Sequence, residues 1–158
     1  MIWISFGIYI IYNIISVYKN KKIPNNLSDT YYIWPKWVFP VVMMLISWTL
    51  MPNLLDLTEG SNWQFLSFLT CMGLTFIGLS PDYLDNKLDY KVHSICAYVI
   101  ALTSILLIIL VVHKYLLLLD ILIKIIILSL IFTKKYIKDC WLYWLETSLF
   151  LSVYLSFI

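Results

Sequence analysis

The stretch 98–112, YVIALTSILLIILVV, carries no charged residue, and neither does 39–55, FPVVMMLISWTLMPNLL. In water, helices of this composition would leave apolar faces that a chain of 158 residues cannot cover. In a bilayer each stretch is most of a spanning helix. Uncharged runs of this kind recur about six times, with short Lys-bearing breaks between them. The composition agrees. The chain is 62% hydrophobic and 13% charged, against about 25% charged in soluble domains.

Working outward from these runs gives six spans: 2–18, 37–55, 63–80, 92–112, 116–133 and 140–158. The connection 19–36, KNKKIPNNLSDTYYIWPK, is broken by Pro24 and the Asn25–Asn26 pair. The apolar stretch from Val92 to Phe132 would measure roughly 60 Å as one helix, twice the hydrocarbon thickness. It is therefore expected to break at His113-Lys114-Tyr115. The first run has no basic segment before it and no small-residue cleavage site after it, so it reads as a retained span. The fold class is an all-α polytopic membrane bundle in one domain, residues 1–158.

Charge placement orients the bundle. All eleven basic residues are Lys. If the connections after spans one, three and five face the cytoplasm, that side holds Lys19, Lys21, Lys22, Lys36, Lys87, Lys91, Lys134, Lys135 and Lys138, nine of the eleven. The positive-inside rule then puts both termini outside a cytoplasmic (inner) membrane. Trp3, Trp34, Trp37, Trp63, Trp141 and Trp144 fall near span ends, where interfacial Trp residues gather. The absence of Arg and of any basic face argues against nucleic-acid binding. The expected partner is the lipid bilayer.

Ionisable groups inside a bilayer are costly, and three fall within spans. Asp120 and Lys124 are spaced i, i+4 on span five and share a face. Lys124 lies near the middle of span five and Glu146 about three residues to the cytoplasmic side of the middle of span six, roughly 4–5 Å in depth at the helical rise, so the two can meet. The three are expected to form an intramembrane charge network. It reads either as a structural clamp or as an ion or proton relay.

A second cluster gathers at the cytoplasmic ends. His93 is followed at i+4, i+8 and i+11 by Ala97, Ala101 and Ser104, small residues that let helices approach closely. His93 is therefore expected to face the interior. Ser80, Asp82, Asp85 and Asp89 lie in the preceding connection, and Ser28, Asp29, Tyr31 and Tyr32 in the first. Asp139, Tyr143 and Glu146 form a stripe leading inward. His93, Glu146, Tyr143, Asp82 and Ser80 are the candidate ligand or ion pathway. The same residues also read as solvated or helix-capping groups.

Other chemistry is thinly supported. Two His residues on opposite sides exclude a three-His zinc site within one chain, and no metal or cofactor is expected. Cys71, Cys96 and Cys140 show no CxxC spacing and read as packing residues. A hydrolase would use Ser28 or Ser80 with His93 and Asp82 or Asp85, without a GxSxG elbow. Ser148, Ser152 and Ser156 repeat every four residues, nearly opposite Glu146, and offer a face for packing in the chain or against a second copy.

The segments PNNLSDTYY (24–32), FIGLSP (76–81) and KVHSICA (91–97) resemble, in the same order, segments of small uncharacterised integral membrane proteins of Bacteroidetes and their crAss-like phages. Ile77 and Ser80 depart from the small or Val residues usual there. The resemblance implies a membrane bundle with these three segments at one face, and it brings no activity. The leading expectation is a cytoplasm-facing polar pocket that binds or passes a small solute, ion or proton. The alternatives are an intramembrane hydrolase-like enzyme using His93 and a non-catalytic membrane-complex or phage accessory subunit. A pocket holding His93 and Glu146 together favours the first. A Ser hydroxyl in reach of His93 favours the second.

Overall fold

The computed structural model describes residues 2–111, 114–133, 139–155 and 157. Among these there are six α-helices, one short 3-10 turn and no strand. The helices are α1 (Ile2–Asn20), α2 (Val38–Leu57), α3 (Gln64–Leu79), α4 (Lys87–Val111), α5 (Lys114–Thr133) and α6 (Trp141–Leu155). The 3-10 turn, Ser28–Tyr32, lies between α1 and α2. The break at His113 and the turn 134–138 lie outside the described residues. α1, α2 and α4 are each long and apolar enough to cross a membrane. α3, with 16 residues, is shorter.

The helix ends have local causes. Lys21 closes α1 in the left-handed region, φ 58°, a conformation that helix C-termini commonly use. Gly60, φ 70°, turns the chain between α2 and α3. α4 begins five residues before the expected span because Asn86 caps it: its Oδ1 accepts the Leu88 amide (2.9 Å).

Consecutive helices α1 to α4 pack pairwise, α6 packs on α4, and α5 packs on α6. Two glycines set the spacing of α3. A Cβ on Gly73 would lie 2.6 Å from Ile100 Cγ1, and one on Gly78 would lie 3.2 Å from the Pro40 carbonyl oxygen. Close approach through small residues is how helices pack where lipid replaces water.

Alongside its apolar core the bundle buries several polar side chains and turns large apolar ones outward. On α1 the buried residues are Ser5, Tyr9, Tyr12, Asn13 and Ser16, while Ile4, Ile11, Ile14 and Ile15 face outward. On α4, Ser104 is 1% exposed and Tyr98 78%. The buried polar groups bond across helices. The Ser5 hydroxyl meets Tyr154 Oη (2.8 Å), Ser47 Oγ donates to the Cys71 carbonyl (2.6 Å), and the Thr70 and Thr103 hydroxyls meet at 2.7 Å. Polar groups that pair inside an apolar exterior suit a membrane protein.

Candidate functional site

The connection between α1 and α2 folds back into the bundle. Asn26 Oδ1 accepts the Asp29 amide (2.7 Å), an Asx arrangement that starts the 3-10 turn. The turn buries Ser28, Thr30 and Tyr31. Tyr12 Oη donates to Thr30 Oγ1 (2.7 Å), and Trp34 Nε1 donates to Ser16 Oγ (2.8 Å), which ties the segment to α1. The Lys19 ammonium sits 4.2 Å over the Trp34 ring. On the other side the Tyr143 amide, one of the orphan donors in the first turn of α6, donates to the Asn25 carbonyl (3.0 Å). The Leu27 amide donates to Glu146 Oε2 (2.6 Å).

His93 is 8% exposed and reaches this turn from α4. Nδ1 lies 3.1 Å from the Ser80 carbonyl oxygen, and Nε2 lies 2.9 Å from Ser28 Oγ. A carbonyl only accepts, so in the neutral ring the proton sits on Nδ1. Nε2 is then an acceptor, and the Ser28 hydroxyl donates to it. Tyr83 stacks on the imidazole, with centroids 4.6 Å apart. Its own hydroxyl donates to Asp29 Oδ1. Burial, and then the Asp29 carboxylate, hold the Tyr83 phenol above its ordinary pKa.

His93, Ser28 and Glu146 line one cavity of about 70 Å³, above the size needed to hold water. Ser28, His93 and Glu146 gather where the turn meets α4 and α6. From there it runs inward between α2, α3, α4 and α6, past Met43, Leu50, Leu74, Ala97, Ala101, Leu149 and Val153. Thr70 and Ser104 also line it. His93 and Ser104 are eleven residues apart on α4, so the cavity extends roughly 16 Å along the bundle at the helical rise. The arrangement is a polar head site above an apolar slot.

The other pathway candidates lie outside the cavity lining. Ser80 is buried, and its carbonyl fixes His93. Tyr143 Oη donates to Asn13 Oδ1 (2.9 Å). Asp82 Oδ1 is buried without a hydrogen-bond partner among the described residues. None of the three lines the cavity.

Of the residues expected to form a charge network, Lys124 donates from Nζ to Ser152 Oγ (2.7 Å), and Glu146 Oε2 accepts the Leu27 amide. The Asp120 side chain lies outside the described residues. Of the serine face read as packing in the chain or against a second copy, Ser148 and Ser152 are buried in the chain, where α5 packs on α6. Ser156 lies outside the described residues. No group of three His, Cys, Asp or Glu residues among those described is placed to hold a metal.

Comparison with protein-family models, with curated proteins and with solved structures finds no match to this chain.

Proposed function

We propose that the chain is a six-span protein of the cytoplasmic membrane, with both termini outside, that binds one small amphipathic molecule from the cytoplasmic leaflet. The observation that carries this reading is the cavity that brings His93, Ser28 and Glu146 together at one end, with mostly apolar walls beyond them. A few convergent polar groups over an apolar cleft is the form of a small-molecule site. The Lys asymmetry supports an orientation with the polar end toward the cytoplasm. A head group with hydrogen-bonding capacity would sit beside His93 and Glu146, and an alkyl or acyl tail would fill the slot. Passage of an ion or proton finds less support, since Leu50, Leu74, Leu149 and Val153 wall the inner part of the cavity without a charge.

Native mass spectrometry of the protein purified in mild detergent tests the reading. The wild type is expected to retain one amphiphile. Ala101→Phe, which fills the slot from its wall, is expected to lose it while keeping its helix content. Equal retention by both, or retention by neither, would count against the reading.

A further inference from the structure

We propose that Ser28 and His93 are a nucleophile–base pair that cleaves a long-chain acyl ester held in this cavity, an inference that rests on the amphiphile-binding reading. The tautomer argument is its core. The Ser80 carbonyl keeps the proton on Nδ1 and turns the Nε2 lone pair toward Ser28 Oγ, 2.9 Å away. A serine hydroxyl that donates to an oriented imidazole is the activated form of that nucleophile. In serine hydrolases a carboxylate orients the base; here a main-chain carbonyl does so. Ser28 is itself fixed on both sides, by the Leu27 amide on Glu146 and by Asp29 on Asn26 and Tyr83. Both groups of the pair line the cavity, directly above its apolar slot, where an acyl chain would place its carbonyl carbon beside Ser28. Tyr83 covers the imidazole on one face and is a positioning residue.

The chemistry closes with water as the only co-reactant. Ser28 Oγ adds to the ester carbonyl carbon as its proton moves to His93 Nε2. The intermediate collapses, the bond from the acyl carbon to the alcohol oxygen breaks, and the leaving oxygen takes the proton from Nε2. Water entering from the polar end then gives a proton to Nε2 and adds to the acyl carbon. Collapse frees the fatty acid and returns the proton to Ser28.

The full chain in nanodiscs, treated with an alkyl fluorophosphonate, gives the test. The wild type is expected to gain one phosphonyl adduct, mapped by peptide sequencing to Ser28. Ser28→Ala should gain none, and His93→Gln should react about a hundredfold more slowly, within the usual range for loss of a general base. Mapping on the wild type holds even where a variant folds poorly. A non-cleavable long-chain ether is measured in parallel by native mass spectrometry. No adduct on Ser28 with the ether still retained overturns the esterase and leaves the binding site standing. No adduct and no retention overturns both. An adduct that forms equally fast in His93→Gln removes the base from the account.

Discussion

Tyr83 ties the two cytoplasmic connections together, since it stacks on His93 and hydrogen-bonds to Asp29. Its phenol keeps its proton to higher pH in the fold than in the unfolded chain. The folded state therefore holds more protons above about pH 10, the ordinary tyrosine value, and stability falls as pH rises through that range. Thermal melts at pH 9 and pH 11 in detergent are expected to show a loss in the wild type that is smaller in Tyr83→Phe. Equal losses would mean that the buried phenol does not contribute. At this scale the sequence was only partly legible. The small residues at Ala97, Ala101 and Ser104 mark the face of α4 on which His93 is buried. The Asx signal of Asn26 was present but unread, and nothing in the spacing marks Tyr83 as the ring over His93. The partners of His93 come from segments 13 and 65 residues away, beyond the reach of local patterning.

The two close glycine approaches of α3 differ in what they meet. At Gly73 the neighbour is the Ile100 side chain, which can be shortened; at Gly78 it is Pro40 backbone and Met43 Cβ. Gly73→Ala and Gly78→Ala should each destabilise the bundle, by about 1–3 kcal/mol as overpacked sites do. Ile100→Ala should relieve the first, whereas Met43→Ala should not relieve the second because Ala keeps the Cβ. Relief in both cases, followed by thermal unfolding in detergent, would contradict the packing described. Helix positions were largely legible, because uncharged runs have sharp ends. The start of α4 was not, because Lys87, Asp89 and Lys91 in its first turns resemble a loop. The Lys124–Ser152 hydrogen bond was not legible, because neither spacing nor composition marks a partner on a separate helix.

The molecule as a whole pairs buried Ser, Thr and Tyr groups between helices and leaves many Ile, Leu and Trp residues facing outward, while the Lys distribution carries the proposed orientation. An impermeant thiol reagent applied to intact cells is expected to label Ser61→Cys, between α2 and α3, and to spare Asn20→Cys, at the end of α1. Labelling at position 20 would invert the topology and move the pocket to the outer leaflet. Apolar composition made the fold class legible, whereas the slot between four helices is a property of packing that no single segment encodes. The most direct test of the central claim is photo-crosslinking with a long-chain alcohol carrying a diazirine on its tail, in nanodiscs, with the modified residues identified by mass spectrometry. Crosslinks at Ala101, Leu149 and Val153 that disappear with excess unlabelled alcohol are the expected result. Crosslinks confined to outward residues such as Ile11, Tyr98 and Ile109, and not competed, would contradict it.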